Sequence, residues 1–152
     1  MTYTNADARQ QLLDQVAAAA EDIGLALANL TEAYEQLDDS SAQRLEDQLF
    51  RPLQLASGQA QRTYAEFAGR YRLPTRTFEA AQLHVREHNA KGIIENAAAI
   101  VARADQTLAT LQDSMLPIEV GDPQLRAGLE QVRVLLADIG RRSREVTRTL
   151  GR

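Results

Sequence analysis

The chain has 152 residues, of which 44% are hydrophobic and 25% charged, and its net charge is −4 at pH 7. This balance is typical of a single globular domain, here spanning residues 1–152, and excludes a disordered chain. The chain has no cysteine, which excludes disulfides, thiol catalysis and thiolate metal sites.

The N-terminus and the hydropathy pattern bear on where the protein is located. Residues 1–11 are polar and lack a basic segment followed by an apolar run, so we expect no secretory signal. No window approaches the ~18 consecutive apolar residues of a membrane-spanning helix, so we expect no membrane contact. These observations predict a cytoplasmic protein.

Apolar residues recur at alternating spacings of three and four in four segments, which predicts four amphipathic helices. Abundant alanine and few aromatic residues also favour helices over a sheet. Tyr34 belongs to the first apolar row and Met115 to the third, so both are expected in the core. The expected helix bounds are 5–38, 41–72, 76–115 and 123–150.

Local signals mark the helix ends. Asn5 is the expected N-cap of the first helix, Ser40 or Ser41 that of the second, and Asp122 that of the fourth. Proline at 52 should kink the second helix, and proline at 74 should end it. Long helices with short connections predict a single antiparallel, up-down-up-down four-helix bundle.

Charge is distributed unevenly along the chain. Residues 1–50 hold ten acidic residues and two arginines, whereas residues 123–152, the predicted last helix and the two residues after it, carry seven arginines. An arginine stripe occurs in nucleic-acid-binding proteins. However, the net charge is negative and few aromatic residues are interleaved for base stacking. We therefore expect the basic helix to complement the acidic first helix, not to bind nucleic acid.

One carboxylate, Glu87, falls in the apolar row of the predicted third helix. A buried charge requires a partner, because desolvation without one costs several kcal/mol. Reflecting residue numbers through the predicted loops places Arg62 and Arg148 near the same level. We therefore predict that Glu87, Arg62 and Arg148 form a structural polar layer that sets the helix register.

The segment His84–Gly92 contains both histidines and the only lysine of the chain. Within it, His88-Asn-Ala-Lys91-Gly92 resembles the His-x-x-Lys-Gly core of histidine phosphotransfer domains, which are four-helix bundles with an exposed histidine in mid-helix. The resemblance implies that His88 carries a phosphoryl group, Lys91 stabilises its charge, and Gly92 leaves room for a receiver domain. An imidazole nucleophile beside a cation fits this chemistry.

The same segment also matches a zinc-binding pattern. His84-Val-Arg-Glu87-His88 places two imidazoles four residues apart, on one face of a helix, with Glu145 as a possible third ligand. Because Glu87 is expected to face the core and not a metal-bound water, we predict no metal site and no cofactor.

Two functions remain. We favour a non-enzymatic helical interaction or scaffold protein that binds a protein partner, possibly a second copy of itself, because long heptad rows suit helix–helix association. The alternative is a phosphotransfer protein that relays a phosphoryl group through His88 to or from a receiver domain. An exposed apolar strip would favour the first function, and an exposed His88 beside Gly92 the second.

Overall fold

The computed structural model describes residues 4–79 and 89–150, and every regular element in these ranges is helical. The all-α class is therefore confirmed for this part of the chain, which contains no strand. A π-helical turn at Glu46–Phe50 joins the second and third α-helices. The α-helices are α1 (Asn5–Tyr34), α2 (Asp39–Leu45), α3 (Arg51–Tyr71), α4 (Ala90–Asp113), α5 (Leu116–Glu119), α6 (Pro123–Leu136) and α7 (Ile139–Leu150).

One apolar cluster lies between the long helices. α1 packs against α4 and α3, α3 packs against α6, and α4 packs against α7. Small side chains on α1 let its neighbours approach closely, because the distance between helix axes depends on the residues at the contact. These buried alanines include Ala17, Ala19, Ala20, Ala26 and Ala33.

Polar contacts give the relative direction of neighbouring helices. Arg103 on α4 pairs with Asp22 on α1 (Nη2–Oδ1 2.7 Å), and Asn96 donates to Asn29 (Nδ2–Oδ1 3.1 Å). Residue numbers therefore rise along α1 as they fall along α4. The same reversal occurs between α4 and α6, in the pairs Asp105–Arg133 and Gln112–Glu130.

α1 begins at the expected residue, but its cap lies one residue before the predicted one and the helix ends early. The N-cap is Thr4 and not Asn5, because Thr4 and Asp7 form a reciprocal capping box. The helix ends at Tyr34 instead of residue 38. The expectation that Tyr34 lies in the core is wrong, since 45% of its surface is exposed. Asp38, and neither predicted serine, caps α2 by accepting from the Ser41 amide.

The backbone before Pro52 departs from α-helical geometry. Pro52 has no amide hydrogen, so the Gln48 carbonyl lacks its usual helical donor. That carbonyl instead accepts from Arg142 on α7 (Nη1–O 3.3 Å). The Arg51 amide reaches back five residues to the Glu46 carbonyl, which defines the π-helical turn.

The predicted third helix starts too early. Arg72 adopts a left-handed conformation (φ 55°) and ends α3, and residues 73–79 have no regular secondary structure. Tertiary contacts hold this segment, because the Arg76 amide donates to the Tyr64 hydroxyl and the Phe78 ring packs edge-on against Tyr64. α4 begins only at Ala90, capped by the Asn89 side chain.

The last predicted helix is two helices. Asp122 caps α6 and Pro123 occupies its first turn, as expected. The helix is interrupted by a turn at residues 137–138, where the Asp138 carboxylate accepts hydrogen bonds from Arg141 and Arg142. Aspartate favours helix caps over interiors, which accounts for a break at this position.

The expected loop before α6 also contains a short helix. Met115 has a positive φ of 70° and lies just after the end of α4. The expectation that Met115 lies in the core is wrong, since 47% of its surface is exposed. α5 follows directly.

Within the described residues, no helix combines the length and apolarity that crossing a membrane requires.

Candidate functional site

The predicted site segment falls partly outside the described residues. His84, Glu87 and His88 belong to residues 80–88, so the proposed phosphoacceptor and the proposed core carboxylate lie outside the structure's description. Lys91 and Gly92 are described. The phosphotransfer role of His88, and the pairing of Glu87 with an arginine, stay predictions.

Lys91 and Gly92 lie in the first turn of α4 and not in mid-helix. Asn89 has an extended backbone (φ −105°, ψ 152°), and its Oδ1 accepts from the Gly92 amide at 2.7 Å. The Lys91 side chain is exposed beside an open depression of about 530 Å³. An asparagine followed by a helix-forming run is a local N-cap signal. The resemblance to the His-x-x-Lys-Gly motif does not take this signal into account.

The predicted polar layer rested on a third helix that began near residue 76. Residues 76–79, where that helix was expected to begin, have no regular secondary structure, so the reflection through residue 74 loses its starting point. Arg62 and Arg148 are both exposed. Arg62 donates to Gln59 on its own helix (Nη2–Oε1 3.3 Å) and forms no ion pair with any described residue.

A polar contact inside the core was not foreseen. Asn29 is 2% exposed; its Nδ2 donates to the Leu25 carbonyl at 2.9 Å, while its Oδ1 accepts from Asn96. A satisfied buried amide favours one register of two packed helices over shifted ones. The apolar pattern gave no signal for it, because Asn29 stands five residues before Tyr34 and so lies about 140° around the helix from the predicted apolar row.

An apolar surface lies over the junction of α3 and α6. Leu55 on α3 is 62% exposed and Val134 on α6 is 64% exposed, and both line one groove with Leu135 and the amides Gln59 and Gln131. In the sequence, each exposed residue stands two positions after a core residue. Two residues correspond to a rotation of about 200° around the helix axis, so Leu55 and Val134 point away from the core.

The two helices are held together at two points, near the middle of their contact and at the start of α6. Gly128 on α6 lies against the buried Thr63 on α3, where a side chain at 128 would collide with it. At the start of α6, the Asp122 carboxylate accepts from Arg70 (Nε–Oδ2 2.6 Å) and from the Leu125 amide (N–Oδ1 2.8 Å). Burial raises the pKa of Asp122, but these donors outweigh it and hold the pKa below 3.8.

Within the described residues, no group of three or more histidine, aspartate or glutamate side chains is arranged to hold a metal ion. Comparisons of this chain with protein-family models, with curated proteins and with solved structures find no match.

Proposed function

We propose that this protein is a non-enzymatic helical interaction module that self-associates through the α3/α6 surface. The α3/α6 surface comprises Leu55, Gln59, Arg62, Glu130, Gln131, Val134 and Leu135. We further propose that the long helices form one antiparallel four-helix bundle, with α6 and α7 together as its fourth member. The reversed order of the contacts between α1 and α4, and between α4 and α6, supports this arrangement.

The observation that carries the proposal is the double exposure of Leu55 and Val134 in one groove. Isolated exposed apolar residues need no explanation, but paired ones on adjoining helices form a patch. Full burial of a leucine or valine side chain contributes roughly 1.5–3 kcal/mol. The groove also contains the uncharged amides Gln59 and Gln131, which can pair with polar groups of a partner at the edge of the apolar centre.

The partner that fits this surface is a second copy of the chain. A two-fold interface brings the same patch together from both sides, so the patch must complement itself. Here an apolar centre is flanked by one cation, Arg62, and one anion, Glu130. Arg62 has no acidic partner among the described residues. In the dimer, Arg62 of each copy faces Glu130 of the other.

Analytical ultracentrifugation across a range of concentrations tests this function. Leu55→Glu should weaken dimerisation at least tenfold, since it costs more than about 1.4 kcal/mol to place a carboxylate in the apolar centre. Ile118→Glu is the matched control, because Ile118 is similarly exposed (59%) but lies outside the surface. Arg62→Glu should weaken the dimer, and adding Glu130→Arg should restore it. A monomer at every concentration would refute the proposal.

The phosphotransfer alternative has less support from the described residues. The resemblance implies a motif in mid-helix, whereas its described residues Lys91 and Gly92 lie in the first turn of α4. Incubation with a small phosphodonor or a phosphorylated receiver domain separates the two functions. If the protein acquires an acid-labile phosphate label, and the label is lost in His88→Gln, the protein is a phosphotransfer protein and not an interaction module.

A further inference from the structure

A second feature lies where the end of α1 meets the π-helical turn. A cavity of about 220 Å³ opens there between Thr31, Tyr34, Glu35, Glu46 and Phe50. It shares no residue with the α3/α6 surface or with the His84–Gly92 segment. Its origin is local: Glu46 and Phe50 are the first and last residues of the π-helical turn that precedes Pro52. Such turns are rare and occur frequently at functional sites.

Two aromatic rings line the cavity. Phe50 is partly buried and packs against the core, which fixes one wall. Tyr34 is 45% exposed, although tyrosine at an apolar position would normally be covered. The faces of aromatic rings carry negative electrostatic potential and attract cations that lie over them. The walls therefore suit a ligand that is both apolar and positively charged.

The charges around the cavity have one sign. Glu35 and Glu46 both line it, no lining residue is basic, and neither carboxylate forms an ion pair with a described residue. Residues 32–47 contain six acidic residues and one arginine. That arginine, Arg44, donates to Thr149 on α7 (Nη1–Oγ1 2.8 Å).

The C-terminal end of α1 also favours a positively charged ligand. A helix C-terminus carries a partial negative charge of about half an electron, which lysine or arginine in the last turn usually offsets. α1 has no basic residue in its last turn, and its C-cap is Glu35. A bound cation would supply the missing positive charge at this helix end.

We propose that this cavity binds an alkylated ammonium group. Tyr34 and Phe50 contact the methyl groups, and Glu35 and Glu46 balance the charge. An unmodified ammonium is strongly hydrated and loses more on leaving water, so alkylated nitrogen is favoured. The group belongs either to a small quaternary amine or to a methylated lysine of a partner. These sources share one chemistry and are separated by experiment.

Titrations followed by two-dimensional NMR test the proposal on the full chain. The probes are choline, its neutral isostere 3,3-dimethylbutan-1-ol, and a short glycine–serine peptide containing trimethyllysine, with the unmethylated peptide beside it. Choline should shift the amide signals of residues 31–50, and the isostere should not. Tyr34→Leu should weaken choline binding about three- to thirty-fold, the range expected from a cation over an aromatic ring.

Matched variants separate this site from general attraction to an acidic surface. Glu46→Gln should weaken binding at least threefold. Glu32→Gln should not, because Glu32 carries the same charge on α1, the helix that also provides Thr31 and Tyr34, but lies outside the cavity. If the trimethyllysine peptide binds tenfold tighter than choline and than its unmethylated form, the source is a modified partner. If choline binds as tightly as the peptide, the source is a small amine.

Three results would overturn the proposal. The first is the absence of shifts with either cation at millimolar concentration, and the second is equal binding of choline and its neutral isostere. The third is binding that Tyr34→Leu and Glu46→Gln leave unchanged while both variants retain the circular dichroism spectrum of the parent. The oligomeric state is measured separately, so these outcomes do not depend on self-association.

Discussion

The contact between Gly128 and Thr63 allows a quantitative test of how α3 packs on α6. A β-carbon added at Gly128 would lie 2.9 Å from Thr63 Cγ2 and 3.1 Å from Thr63 Cβ, and closer still to Oγ1. Thr63 is buried, so its side chain has no open space to enter. Gly128→Ala must therefore push the two helices apart.

The expected size of the effect is the sum of two opposing contributions. Overpacking a well-filled contact costs about 1–3 kcal/mol. Alanine in place of glycine in a helix interior stabilises by up to about 1 kcal/mol. We therefore expect Gly128→Ala to lower the free energy of unfolding by about 0.5–2 kcal/mol, measured by urea denaturation with far-UV circular dichroism.

Gly24→Ala is the control for helix propensity. A β-carbon at Gly24 meets no atom within 4 Å, so this change should stabilise by up to about 1 kcal/mol. Thr63→Ala removes Oγ1 and Cγ2, and in that background the cost of Gly128→Ala should fall by roughly 1 kcal/mol. If Gly128→Ala stabilises as much as Gly24→Ala does, α3 and α6 are not in close contact and the reasoning is refuted.

Two further predictions concern polar groups. Asn29→Asp replaces a buried donor to the Leu25 carbonyl by a carboxylate, so we expect about 2–4 kcal/mol of destabilisation at neutral pH. The destabilisation should decrease in acid, as the carboxylate protonates. Equal destabilisation at both pH values would contradict this. Asp122→Ala should destabilise by about 1–2 kcal/mol at neutral pH, through loss of the helix cap and of the partly exposed pair with Arg70. Because the folded pKa of Asp122 lies below its ordinary value of 3.8, its contribution is complete above that pH and is lost as the pH falls through the folded pKa. Urea titrations near neutral pH and at about pH 3 check this, and a difference that grows in acid would contradict it.

Local chemistry made several features predictable from the sequence. The all-helical class follows from apolar periodicity and from abundant alanine, which act within one or two helical turns. The start of α6 follows from Asp122 and Pro123, whose side chains satisfy or replace backbone donors at that position. The end of α3 at Tyr71 was placed correctly, with proline at 74 closely following. None of these needs a distant partner.

Competing hydrogen bonds and tertiary packing decided the rest. Apolar spacing continues through residues 76–89 and 137–138, so periodicity alone predicts unbroken helices there. The described chain instead leaves the helix where other bonds compete. One is tertiary, from the Arg76 amide to Tyr64, whereas the Asn89 cap and the bonds of Asp138 with Arg141 and Arg142 are local signals that the apolar pattern does not contain. Exposure is likewise settled by neighbours. An apolar residue is buried only if another helix covers it, and the packing of α6 on α3 leaves Leu55 and Val134 exposed to solvent.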